Sequence, residues 1–161
     1  MNIDLVSELK KAFNGDAWHG DSLLRQLHKV KAEQAFRHFI PDAHSIAEIV
    51  LHITSWTLEV ADRIKGEKAK APEMGDWPMP DSFTAENWEA IIAACIAANE
   101  KLIRVCEQSD GNDNDPEPRE VRDRALGSGV SPAELLNGII QHHAYHSGQI
   151  ALLLKFPGMA T

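Results

Sequence analysis

Apolar residues recur three and four positions apart in four stretches of this chain, and nowhere do they alternate convincingly with polar ones. That spacing lines up one face of a helix, whereas a half-buried strand needs strict alternation. The first stretch runs from about Asp4 to Val30. Leu5, Leu9 and Phe13 make one stripe in it, and Leu23, Leu24 and Leu27 another. Turn residues interrupt it near Asn14-Gly15-Asp16 and again at Gly20-Asp21. A short turn, Ala32 to Phe39, follows before Pro41.

The second helix has a marked start. In Ser45-Ile46-Ala47-Glu48 a Ser side chain takes an orphan N–H and the Glu three residues on reaches back, the reciprocal arrangement of a capping box. Ile46, Ile49, Val50, Ile53, Thr57, Val60 and Ile64 then form a stripe, and Gly66 is the expected stop. Residues 67–83 hold Pro72, Pro78 and Pro80 and no regular pattern. Loops of this length are often functional, and Trp77 within it is expected to pack over the core or over a ligand pocket. A third helix is predicted from about Thr84 to Gln108, with Trp88, Ile91, Ile92, Cys95, Leu102 and Val105 on one side. Residues 109–120 read as an acidic, solvated connection. The fourth helix opens on a second capping box, Ser131-Pro132-Ala133-Glu134, with Pro at the favoured first position, and runs to about Lys155, before Pro157-Gly158. Its stripe is Leu135, Leu136, Ile139, Ile150, Leu153 and Leu154. Four main helices without strands predict an all-α four-helix bundle, with 1–161 as one domain. The uneven connections leave the order of the helices open.

Charge narrows the partners. Sixteen basic and 24 acidic residues give a formal net charge of -8, which repels phosphate backbones and argues against nucleic acid. No run approaches the ~20 apolar residues of a membrane span, and MNIDLVSELKK lacks the apolar centre of a signal peptide, so a cytoplasmic protein is expected. Cys95 and Cys106 on one helix would stand about 16 Å apart, too far for a disulfide, and are read as buried free thiols in a reducing compartment.

The chemistry lies in the eight histidines. His142 and His146 are four apart, one above the other on a single helix face. His143 also falls on the inward side. Buried imidazoles without partners are costly. Two readings relieve the cost: one divalent metal, to which each neutral ring gives a lone pair, or a hydrogen-bonded core cluster. A metal needs at least one more ligand. His19 and His28 lie in the broken first region, and His38 and His44 in or beside loops. His52 alone sits within a confident helix, which makes it the best third ligand. A site of three histidines leaves the ion its full charge and keeps positions open for water or substrate, as catalytic sites do.

Three segments then resemble a known family. They are Ala17-Trp18-His19-Gly20-Asp21-Ser22-Leu23-Leu24, the helix from Ser45 to Trp56 with its Leu51-His52-Ile53 centre, and His142-His143-Ala144-Tyr145-His146-Ser147-Gly148-Gln149-Ile150. Together they resemble the DinB/YfiT-like family of metal-dependent proteins over essentially the whole chain. The resemblance implies a four-helix bundle, often a homodimer, with one divalent ion (nickel, zinc, iron or manganese) on His52, His142 and His146. It implies a small-molecule substrate: relatives look like S-transferases that use the low-molecular-weight thiols bacillithiol, mycothiol or glutathione, like hydrolases, or like an isomerase of maleylpyruvate. The chain departs from the pattern at His143, where the family often carries Asp. His143 is therefore a rival ligand or a donor to water.

Around the three histidines, Glu59 is a candidate proton acceptor one helical repeat beyond His52, set against the plainer reading of a solvated carboxylate. Tyr145 is a candidate hydrogen-bond donor or a packing residue, and Gln149 is placed to orient a ligand through its amide. None of the three is assigned a catalytic role. The leading expectation is a metal-dependent transferase or hydrolase. The alternative is a non-catalytic, stress-related or structural helical dimer in which the metal only stabilises the fold.

Overall fold

The computed structural model describes residues 4–109 and 130–156. The acidic segment beyond Ser109 and the expected stop at Pro157-Gly158 fall outside them. The elements are α1 (Leu5–Asn14), β1 (Asp16–Ala17), β2 (Gly20–Asp21), α2 (Leu23–Leu27), α3 (Ala32–Ala35), α4 (Ile46–Ile64), α5 (Ala85–Ser109) and α6 (Pro132–Leu153). The architecture is all-α, as the hydrophobic spacing predicts. It departs from this in a two-rung antiparallel ladder, Asp16 opposite Asp21 and Ala17 opposite Gly20. Strands of two residues are too short to show alternation, so the sequence presented only their turn.

The helix starts follow from their caps. Ser45 N–H donates to Glu48 Oε2 at 2.6 Å, and Glu48 N–H donates to Ser45 Oγ at 3.3 Å. Ser131 and Glu134 repeat the exchange at 2.8 and 3.2 Å, with Pro132 as the first helical residue. Thr84 Oγ1 accepts from Asn87 N–H at the head of α5. Helix α4 ends where Gly66 takes a φ of 100°, a left-handed conformation that a side chain would strain.

Two apolar clusters fix the directions of the helices. The first joins Ile46, Ile49, Val50 and Ile53 of α4 to Trp88, Ile91 and Cys95 of α5 and to Ile150 and Leu153 of α6. The second joins Val60, Ala61 and Ile64 to Leu102 and Val105 and to Leu135, Leu136 and Ile139. Helices α4 and α5 therefore run parallel, with α6 antiparallel to both. Helix α1 gives Leu9 to the second cluster and Phe13 to the first, so it runs with α6. Both cysteines of α5 are buried and outside any disulfide, as expected, and burial pushes the Cys95 thiol up to about 11.

Parallel neighbours need a connection that returns along the whole bundle. Residues 65–84 supply it by retracing α4 step by step. Lys70 N–H donates to Glu59 Oε1 at 2.9 Å, Ser55 Oγ donates to the Gly75 carbonyl, and the Trp56 indole N–H donates to Asp76 Oδ1 at 2.7 Å. Gly75 has a φ of 86°, which lets its carbonyl turn toward Ser55 without strain.

Glu59 corrects a sequence-based expectation. It is neither solvated nor at the histidines: it is 3 % exposed, and Arg63 Nε donates to Oε1 at 3.0 Å. The crossover covers it, and its charge is spent on Arg63 and the Lys70 amide. Arg63→Ala would leave this buried carboxylate without its counter-charge. A loss of about 3–5 kcal/mol is expected, measured by urea unfolding. A loss under about 1 kcal/mol would mean that the pair is solvated after all.

Candidate metal centre

His52 stands midway along α4, and His142 and His146 lie one turn apart on α6, between the stretches of α6 that join the two apolar clusters. Because α4 and α6 pack against each other, the three rings meet. His142 Nε2 lies 2.9 Å from His52 Nε2 and 3.1 Å from His146 Nε2. One ring nitrogen from each of the three lies within 4.8 Å of the others. His52 and His146 are buried and His142 is half-buried.

The partners of the outer nitrogens decide where the hydrogens sit. His52 Nδ1 is 2.6 Å from the Asp76 carbonyl oxygen, which can only accept, so Nδ1 carries the hydrogen and Nε2 the lone pair. Asp76 Oδ1 stands 3.3 Å from the same Nδ1. His146 Nδ1 donates to Gln149 Oε1 at 2.6 Å, which again leaves a lone pair on Nε2. Both lone pairs face His142 Nε2. His142 has one ring hydrogen, and its Nδ1 is buried with no hydrogen-bond partner. Wherever that hydrogen sits, at least one lone pair faces another nitrogen about 3 Å away with nothing between them. Protonation is not the remedy. Burial first, then the neighbouring rings of His146, His52 and His143, push His142 down to about 3. Burial also lowers His146, against the opposing pull of Gln149.

The donor set fits a divalent ion. Metal–nitrogen bonds of about 2.0–2.1 Å at tetrahedral or octahedral angles put neighbouring ligand nitrogens roughly 2.9–3.4 Å apart. The two short separations here fall in that interval, and the third, between His52 and His146, lies within 4.8 Å and would close on binding. An ion among the three nitrogens would take up the lone pairs that now oppose one another.

His143 does not compete. One residue round the helix, it points toward α1: it is fully buried, packs edge-on to Phe13 at 6.4 Å, and gives Nδ1–H to the Ile139 carbonyl at 2.7 Å. Burial pushes it down to about 4, so it is a neutral core residue. Gln149 does what its spacing predicted.

The crossover settles what the sequence left open for Trp77, core or pocket, and adds contacts that the sequence did not disclose. Trp77 lies between two imidazoles, stacked on His52 at 3.9 Å and on His44 at 3.6 Å. It is half-buried and forms one wall of a cleft of about 350 Å³, which His44, Ile49, Tyr145, His146 and Gln149 also line. Tyr145 is 64 % exposed at the cleft and meets the His146 ring edge-on at 4.9 Å. His44, set aside in the sequence as a loop residue, thus belongs to the cleft. The Asp76 carbonyl is a backbone group, and no side-chain pattern could have marked it.

Fold and site together define a helical bundle with a buried three-histidine cluster that could hold a metal, opening on an apolar cleft. The chain belongs to the DinB family, which it matches over residues 6–161. Comparison with curated proteins finds no match, and neither does comparison with solved structures.

The assignment of ring hydrogens can be tested without any metal. In nitrogen-15 spectra of chelator-treated protein, His52 and His146 should both show the Nδ1–H tautomer. Gln149→Leu should release His146 alone from it. Nε2–H on both rings in the wild type would contradict the geometry.

Proposed function

We propose that the chain is a metal-dependent enzyme, a transferase or hydrolase, in which His52, His142 and His146 hold one divalent ion and a small-molecule substrate enters by the adjoining cleft. One observation carries this reading: two rings whose Nδ1–H groups are committed to oxygen acceptors aim their Nε2 lone pairs at a third buried imidazole. A divalent ion held there would supply Lewis acidity, bringing a water or a thiol toward its deprotonated form at neutral pH. Three imidazoles suit nickel, zinc, iron or manganese, and availability then decides among them.

The chain's own residues have separable tasks. Asp76 and Gln149 hold the His52 and His146 rings in one tautomer and one orientation, the office of outer partners at metal sites. Trp77 covers the face of His52 and keeps bulk water from that side. Tyr145 carries a hydroxyl at the exposed side of the cleft, where it can donate to a bound molecule. A thiol or water as nucleophile is consistent with a cleft that reaches His146.

Metal content by mass spectrometry tests the ligand set. Protein purified without a histidine tag should carry about one ion per chain, lost in His52→Ala and His146→Ala while helical circular dichroism persists. Wild-type protein that stays metal-free after reconstitution would remove the basis of the proposal.

A metal that only stabilises the fold is the competing role. Against it stand the two apolar clusters, which hold all four long elements together without the histidines. Chelation should therefore leave the helical signal intact while abolishing turnover. Unfolding on chelation at 25 °C would favour the stabilising role instead.

A further inference from the structure

The cleft beside the three histidines constrains what can enter it, and its walls say more than its size. At about 350 Å³ it is near the lower end of the range for small-molecule pockets. Ile40, Ala43, Ile49, Leu152 and Leu153 give it carbon surface, and Trp77, whose faces are taken by His44 and His52, gives it an aromatic edge. Among the described residues, no lysine or arginine lines it. The two lining groups able to take a positive charge are His44 and His146. His146 turns Nδ1 to Gln149 and Nε2 to the other two histidines. His44 Nδ1 stands 3.8 Å from Glu48 Oε2, so a carboxylate already faces that ring. His38 faces the same carboxylate at 3.5 Å. The chain as a whole carries a formal charge of -8.

A substrate with several carboxylates would bring them into this apolar space with no side-chain cation to meet them, and an ion at the histidines could pair with one of them at most. Burying an unpaired carboxylate is among the costliest events available to a binding site. Glutathione, bacillithiol and mycothiol differ in this respect from a neutral molecule: glutathione presents two carboxylates and bacillithiol is likewise polyacidic, while mycothiol is a strongly hydrated sugar conjugate. None matches walls of Ile, Leu and Trp. What does match is an apolar body against Ile49, Leu152, Leu153 and the edge of Trp77, with a single polar head reaching His146 and the neighbouring histidines.

Building on the metal-centre reading above, we infer that the substrate held in this cleft is a small, uncharged, largely apolar molecule, of aromatic or branched hydrocarbon body, bearing one metal-coordinating head group. Tyr145 and Gln149 are the polar contacts available to it at the cleft wall. Leu152, 67 % exposed, is a wall residue whose replacement should alter selectivity without disturbing the core.

The test compares two thiols that share a donor atom and differ in their bodies. Cobalt(II)-loaded protein is titrated with benzyl mercaptan and, separately, with glutathione, and the sulfur-to-cobalt charge-transfer absorption is followed. Benzyl mercaptan should bind at least ten-fold more tightly. Leu152→Arg, which adds a cation to the wall at an exposed position, should narrow or reverse that ratio with circular dichroism unchanged. Equal or tighter binding of glutathione to the wild type would overturn the inference while leaving the metal centre standing. Should cobalt fail to bind at all, the metal reading falls by itself, and the cleft is tested in metal-free protein. Benzyl alcohol should then shift the Trp77 indole resonance where glutathione does not. No shift with benzyl alcohol, or an equal shift with both, would overturn the substrate class.

Discussion

Helices α4 and α5 run parallel, so the chain must travel back the length of the bundle between them, and the return path lies along α4. That constraint organises the site. A tight turn at Gly66 would have left the flank of α4 open to solvent at Glu59, Ser55, Trp56 and His52. Instead each of these side chains meets the crossover in turn: Glu59 the Lys70 amide, Ser55 the Gly75 carbonyl, Trp56 the Asp76 carboxylate and His52 the Asp76 carbonyl. The topology thereby converts a histidine on a helix flank into a buried ring with its hydrogen assigned. Trp77 completes the enclosure by stacking on that ring. The other half of the site needs no such device, because His142 and His146 are set by the register of α6 and by Gln149 within the same helix.

Burial and neutrality reinforce each other at the three rings. A charged imidazole there would lose its hydration and face two more rings, which is why His142 is pushed down to about 3. Neutral rings keep their lone pairs, and lone pairs are what a cation requires. The same burial would penalise the cluster if nothing occupied its centre, since His142 Nδ1 finds no partner and its Nε2 meets two acceptors. The arrangement is poor as a hydrogen-bonded core cluster, because three nitrogens converge with at most one hydrogen among them. It is good as a ligand set for the same reason.

Local signals carried much of this. The pairs Ser45/Glu48 and Ser131/Glu134 marked two helix starts to the residue, and Gly66 marked a stop, because caps are satisfied within four residues of sequence. The i, i+4 relation of His142 and His146, and the i, i+3 reach from His146 to Gln149, are helix geometry and so were legible as well. Long-range relations were not. Glu59 and Arg63 had visible pairing distance, yet their burial depends on a crossover whose path the apolar pattern does not encode. His44 and Trp77 looked like loop residues, and only the return of the chain along α4 stacks them beside His52. The parallel sense of α4 and α5 was also out of reach, since amphipathic stripes fix which face is buried and not which way a neighbour runs.

The position after His142 shows how one residue sets the electrostatics of such a site. The family resemblance leads one to expect an acid there, and an acid would place a charge next to the three histidines. In this chain the side chain at 143 is fully enclosed against Phe13, where a carboxylate would have to be paired or protonated. The imidazole answers the same space with one hydrogen bond to Ile139 and no charge. Among the described residues, the one carboxylate that touches the three rings is then Asp76, through His52 Nδ1, and it is shared with the Trp56 indole. An ion held on three neutral nitrogens would keep nearly all of its charge, and no anionic ligand would dilute its pull on a bound group. Such an ion would supply the positive charge that a ligand's head group meets, and the apolar walls of the cleft would act on the rest of the molecule.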